Sequence, residues 1–270
     1  LLEIEPFRDT VFDHADEKLG WVTAPIIHRD KGKACDIRTG VLLQIANMRF
    51  LVTAGHNMIA HGELGRSPEI VMPDKGTPTV PLSNERFWTT KAKAEDLTVC
   101  QLTDETVGKL GDRFRYASLS DFMSQHDAQH GRGLYLLYGF PNQMGTSDED
   151  GTKRADTWRY LSCLYERDFS NVENYDPNLH ILLEYERKTK NKAGNYVWPH
   201  GMSGCGIWFC GHPITHSPFT ADHFRLVGIQ TAWHKEFEYA KGTWIDVVAI
   251  IIWKYFSDAR DVMRLHGMEF

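Results

Sequence analysis

Residues 40 to 56 read G-V-L-L-Q-I-A-N-M-R-F-L-V-T-A-G-H. Two apolar runs, Val41 to Ile45 and Phe50 to Ala54, flank a turn at Ala46 to Arg49, and each run is strand-sized. Such a strand pair delivers His56 at the end of a buried strand, where packing can fix the ring so that one nitrogen faces a nucleophile. Similar runs recur at Leu97 to Leu102, Leu134 to Tyr138, Ile181 to Tyr185, Gly206 to Phe209 and Leu226 to Ala232, between turn signals. Short strands at such intervals indicate an all-β sandwich or barrel rather than alternating βα units.

The rest of the chain fits that frame. The polar stretch from Asp104 to Gly133 reads as a crossing between two domains. Met144 to Asp156 reads as an exposed acidic loop, and Lys188 to Asn195 as a second polar loop. From about Val248 to Leu265 apolar residues recur near a 3.6 period, which predicts one C-terminal helix.

Composition removes several function classes. The 270 residues carry a formal charge of -6, and Lys and Arg are dispersed, so no basic field exists to concentrate nucleic acid. The longest apolar run, Val247 to Trp253, is too short to cross a bilayer, and no membrane partner is expected. Five cysteines form no dense, even framework, which favours a reducing, cytoplasmic setting over a periplasmic or secreted one. The chain opens on L-L-E-I-E-P, without a signal-like segment or Met, as expected of a processed chain or a piece of a longer protein.

Two further motifs give His56 its meaning. In E-D-L-T-V-C-Q-L, residues 95 to 102, Asp96 immediately precedes a strand, and a base histidine needs a carboxylate on its far nitrogen to hold its tautomer. Glu95 is the rival, with poorer register to the strand. In P-H-G-M-S-G-C-G-I-W, residues 199 to 208, Gly201 and Gly204 flank Ser203. They permit a backbone that aims the N–H groups of Gly201 and Ser203 at one point, the geometry of an oxyanion hole. The hydrolase signature G-x-S-x-G is not met, because Cys205 stands where its last Gly belongs. Alone, each motif has a plain structural explanation: a surface His, a solvated acidic pair, a Gly-rich turn.

In order and content the three motifs resemble those of the chymotrypsin/trypsin-like serine peptidases, in their disulfide-poor, bacterial-type branch. The resemblance extends to L-Y-L-L-Y-G-F-P, residues 134 to 141, similar to the first strand of that family's second barrel. L-V-G-I-Q-T-A-W, residues 226 to 233, is similar to its strand beside the specificity pocket. It implies an all-β fold of two Greek-key antiparallel β-barrels with a C-terminal helix: residues 1–115 would form an N-terminal barrel carrying His56 and Asp96, and residues 116–270 a C-terminal barrel carrying Ser203. It implies an endopeptidase working through a His56, Asp96 and Ser203 triad and an acyl-enzyme, with an oxyanion hole at Gly201 and Ser203, no cofactor and a polypeptide substrate. Thr231, Ala232, Trp233 and His200 are the expected substrate-binding residues. An activating protein or further domains of a longer chain are expected partners. The second reading is a triad-bearing scaffold that binds a protein partner, its peptidase activity latent or vestigial.

Departures from the family are specific. Met202 stands where activated zymogens carry an acid that pairs with a new N-terminus, and Asn57 follows His56 where secreted members often carry a bridging Cys. Residues Tyr196 to His200 precede Ser203 and include no acid, which disfavours cleavage after Arg or Lys unless an acid from elsewhere, such as Asp246, reaches the pocket; a neutral or apolar side chain is expected, and His200, His234 and Lys235 leave an acidic one open. His212 and His216, in H-P-I-T-H, sit beside Gly211 and Pro213 and read as a loop rather than a metal pair. Calcium in the acidic loop at Asp148 to Asp150 is a minor expectation. No other metal is expected.

Overall fold

The computed structural model describes residues 5–30, 33–62, 68–74, 78–90, 94–130, 133–147, 153–167, 172, 174–186, 197–211 and 218–270. Helix α1 (Glu5–Val22) leads into the first sheet, built from β1 (Thr23–Asp30), β2 (Lys33–Ile45), β3 (Met48–Ala54), β4 (Pro68–Ile70), β5 (Val80–Pro81), β6 (Arg86–Thr89) and β7 (Leu97–Leu102). Helix α2 (Gly55–Gly62) follows β3 directly, and α3 (Asp104–Leu110) follows β7. After α4 (Gln125–His130) come β8 (Leu134–Gly139), β9 (Gly145–Ser147), β10 (Lys153–Ala155), β11 (Trp158–Ser162), β12 (His180–Glu184), β13 (Gly206–Gly211), β14 (Arg225–His234) and β15 (Tyr239–Trp244). The chain closes with α5 (Ile245–Tyr255) and α6 (Ser257–Leu265).

The strands form a seven-stranded sheet in the order β5-β4-β1-β2-β3-β7-β6 and a six-stranded sheet in the order β11-β8-β13-β14-β15-β12. Both are antiparallel and curled, giving the two-barrel all-β architecture expected from the sequence. Every strand run read from the sequence falls on a strand of one of these two sheets, with Tyr185 just beyond the end of β12. The β2–β3 hairpin pairs Ile45 with Met48 across a two-residue turn in which Ala46 has φ 54°.

Three features differ from expectation. Helix α1 was not anticipated. Its apolar stripe is narrow and partly made of small residues: Val11, Ala15, Leu19 and Val22 are buried in the main core cluster, at helical spacing. The stretch after Met144 is not structureless, because β9 and β10 pair as a two-stranded sheet; its acidic tip, residues 148–150, lies outside the described residues. The single C-terminal helix is two, separated at Phe256, whose backbone is extended at φ -127° and ψ 91°. The break lets the buried Phe256 ring meet Phe50 edge-on at 4.9 Å and Trp88 at 4.4 Å, filling the first sheet's core.

The terminal helices tie the two halves together. Asp16 of α1 accepts from Tyr138 of β8 at 3.0 Å and pairs with Arg159 of β11, so the N-terminal helix is anchored to the second sheet. The C-terminal helices, through Phe256, are anchored to the first.

Candidate active site

The register of two neighbouring strands creates the first half of the site. Ala54, the last residue of β3, pairs with Leu97, the first of β7, so the residues just beyond them, Gly55, His56 and Asp96, are adjacent in space. The Gly55 N–H donates to the Asp96 carbonyl at 2.7 Å. The His56 N–H donates to Asp96 Oδ1 at 2.8 Å, and the ring Nδ1 lies 2.6 Å from Asp96 Oδ2. One carboxylate therefore holds both the backbone and the ring of His56, leaving Nε2 for other partners. Asp96 adopts φ 44°, a left-handed conformation that short polar residues tolerate. A Cβ on Gly55 would stand 2.9 Å from Asp96 Oδ1, so this approach needs glycine. Glu95 contributes its carbonyl to a described bond, accepting from Thr243 Oγ1 at 2.5 Å.

The second half is the loop from Pro199 to Cys205, ahead of β13. Its peptide carbonyls are anchored in succession. His200 O accepts from the Asn142 N–H at 2.7 Å and Met202 O from the Cys205 N–H at 2.8 Å. Gly201 O accepts from Thr39 Oγ1 at 3.0 Å, and Ser203 O from Asn57 Nδ2 at 2.8 Å. The Met202 and Gly204 N–H groups donate inward, to Pro199 O at 2.9 Å and Gln230 O at 2.7 Å. Among the described residues nothing accepts from the N–H groups of His200, Gly201 and Ser203. The last two are the pair named from the sequence, each on a peptide unit whose carbonyl is already held. Gly201 has φ 100° and Gly204 φ 94°, conformations that favour glycine.

Among the described residues Ser203 Oγ makes no hydrogen bond, so the structure brings His56 and Asp96 into contact without a direct Ser203–His56 bond. Such contacts are often loose before a substrate is bound. Met202 is buried among the apolar side chains of the second core, including Tyr135 and Ile207, where no ion pair could form. Cys205 and Cys210 are free and buried in different core clusters, and burial pushes both thiols far above their ordinary range.

Of the residues expected to bind substrate, Thr231, Ala232 and Trp233 lie on β14, beside the loop through the Gly204–Gln230 bond. Thr231 is buried and its Oγ1 donates to Lys241 O at 3.4 Å. The Trp233 ring lies 5.9 Å from that of Trp198, over which Lys235 Nζ stands at 4.8 Å. His200 is exposed and contributes its carbonyl to the Asn142 bond. Tyr196, His212 and His216 lie outside the described residues. Asp246 accepts the Gln125 N–H at 2.8 Å, at the start of α4, and burial raises its pKa. Among the described residues no three His, Cys, Asp or Glu side chains converge as metal ligands, and no helix is long and apolar enough to cross a membrane.

Sequence reading missed Thr39, Asn142 and His180. Buried His180 accepts the Asp176 N–H at Nδ1 (3.0 Å), so Nε2 carries the hydrogen and donates to Ala94 O at 2.7 Å, tying β12 to the turn before Asp96. Its only sequence signal is its place at the start of an apolar strand.

No protein-family model matches the chain, and no curated protein matches it. Among solved structures, the serine endoprotease from Yersinia pestis superposes with a TM-score of 0.52 at 11% identity, over 92% of this chain and 67% of that one. The serine protease domain of the Sesbania mosaic virus polyprotein gives 0.46 at 12% identity, over 86% and 91% of the two chains. A Glu endopeptidase gives 0.46 at 13% identity, over 83% and 84%. At 11% identity the first of these likenesses speaks for the fold alone, the chymotrypsin-like two-barrel all-β fold.

Proposed function

We propose that this chain is a serine endopeptidase that cleaves polypeptides through an acyl-enzyme. The observation that carries the reading is the joint presence of a carboxylate-held His56 and a loop in which, among the described residues, the Gly201 and Ser203 N–H groups have no acceptor. Ser203 Oγ attacks the substrate carbonyl carbon while His56 Nε2 takes its proton and passes it to the leaving amine. Asp96 keeps the hydrogen on Nδ1 and stabilises the imidazolium. The two N–H groups receive the negative charge that develops on the carbonyl oxygen. Water then repeats the sequence and releases the acid.

The side chain before the cut bond is neutral or apolar. Buried Val197 and the Trp198 and Trp233 indoles supply its surroundings, and Asp246, the acid that could have served Arg or Lys, is engaged at α4. Cleavage of a peptide library by wild type beside S203A tests both statements. Products that end in Arg or Lys would overturn the specificity, and equal turnover by S203A would overturn the function.

The absence of a Ser203–His56 bond among the described residues favours one alternative: a latent form, or a scaffold, that an activating protein or further domains would complete. A fluorophosphonate probe separates the cases. Labelling of the isolated chain supports the active enzyme, labelling only with a partner supports latency, and none under any condition supports the scaffold.

A further inference from the structure

Two carbonyls of the Ser203 loop are gripped by side chains of the first sheet, and one of those side chains is the residue next to His56. Asn57 is fully buried. Its amide orientation follows from its neighbours: Ser203 O can only accept, and Thr53 Oγ1 spends its hydrogen on Thr39 O at 2.7 Å. Nδ2 must therefore face both, donating to Ser203 O at 2.8 Å and to Thr53 Oγ1 at 2.9 Å. Among the described residues Oδ1 is buried without a partner. An unsatisfied buried acceptor is a cost that an apolar side chain would not carry, so packing does not explain an amide here. Its two donors do.

We propose that Asn57 is a positioning residue that sets Ser203 relative to His56 across the boundary between the two sheets. It bonds the carbonyl of Ser203 and is covalently joined to His56 on α2. Movement of the loop away from the ring therefore stretches this bond, the shorter of two on Ser203 O, which also accepts from the Thr39 N–H at 3.4 Å. The Thr39 bond to Gly201 O holds the same loop two residues earlier. The inference rests on the peptidase reading above.

The test measures kcat, KM and the rate of fluorophosphonate labelling, per folded molecule and well below the melting temperature, for wild type, N57D, N57A and T106V. N57D keeps the shape and replaces the two N–H donors by at most one O–H, while N57A removes both and adds no charge beside His56, so agreement between them excludes an electrostatic cause. Thr106 is buried on α3, beyond the end of β7 opposite to Asp96, and donates to Glu85; T106V is thus a stability control remote from the site. Both Asn57 variants should lose kcat and labelling rate by about 10- to 100-fold, with KM unchanged within about twofold. T106V should lower the melting temperature and leave both rates intact. Wild-type rates per folded molecule in the Asn57 variants, or losses that merely track the unfolded fraction, would overturn the proposal. If wild type itself does not label under any condition, the peptidase reading fails first, a result distinct from labelling that is insensitive to Asn57.

Discussion

At the scale of single residues, the site depends on atoms that cannot be added as much as on those present. A Cβ on Gly204 would stand 2.0 Å from Thr39 O and 2.2 Å from Thr53 Oγ1, and its φ of 94° is strained for any other residue. G204A should therefore force the loop away from β2 and β3, with backbone strain alone costing about 1–3 kcal/mol. The expected outcome is a lowered melting temperature together with lost turnover. S203A and H56A should each abolish hydrolysis while the circular dichroism spectrum stays that of the wild type, because triad members act as a unit. D96N should lower kcat by roughly 10³- to 10⁴-fold through loss of the correct His56 tautomer. E95Q should be close to wild type, since Glu95 contributes only its carbonyl to a described bond. A damaging E95Q beside a harmless D96N would reverse the assignment of the orienting carboxylate.

Among elements, α1 matters because it closes the core from the second sheet's side. Leu19 is fully buried, with Val11 and Ala15 on the same stripe, and Gly20 lies close enough to Tyr138 that a Cβ would come within 3.2 Å of its hydroxyl. L19A should destabilise the protein by about 2–5 kcal/mol, read from chemical denaturation. Turnover per folded molecule should not change, because α1 contributes no described bond to the Ser203 loop. A catalytic defect in folded L19A would mean that the helix also governs the site. The β3–β7 pairing acts in the opposite way. Its stability and its function are inseparable, since the register that pairs Ala54 with Leu97 also sets His56 against Asp96.

Across the whole molecule, the two sheets communicate through a few buried polar bonds, one of which titrates. Burial lowers the pKa of His180 below its ordinary value of 6.5, so the folded state favours the neutral ring that accepts from Asp176 and donates to Ala94. A depressed folded value means that the unfolded chain binds the proton first. The contribution of His180 is complete above about pH 6.5 and is lost as pH falls from there through the lower folded value. The melting temperature of wild type should therefore fall more steeply between pH 7 and pH 5 than that of H180Q. Equal slopes would remove His180 from the acid response. The Cys205 and Cys210 thiols should be silent in the native state. Burial pushes Cys205 and Cys210 toward the thiol form, so neither should react with iodoacetamide before unfolding, as peptide mapping would reveal.

The sequence alone determined what local pattern and chemistry can carry. Alternating turns and apolar runs fixed an all-β chain. Asp96 could be preferred over Glu95 because a strand beginning at residue 97 sets the register of the residue before it. The glycines at 201 and 204 marked a loop that needs unusual backbone angles, which only that residue type adopts without strain. Tertiary structure decided everything that depends on distant partners. Helix α1 had a readable stripe at Val11, Ala15, Leu19 and Val22, but it is held by a core built from both sheets, part of it formed more than a hundred residues later, so propensity was a poor guide. The break at Phe256 follows from a ring that must reach Phe50 and Trp88. Asn57, visible in the sequence only as the residue where a cysteine might have stood, acquires its partners Thr53 and Ser203 when the two sheets meet, because a hydrogen bond depends on distance in space and not along the chain.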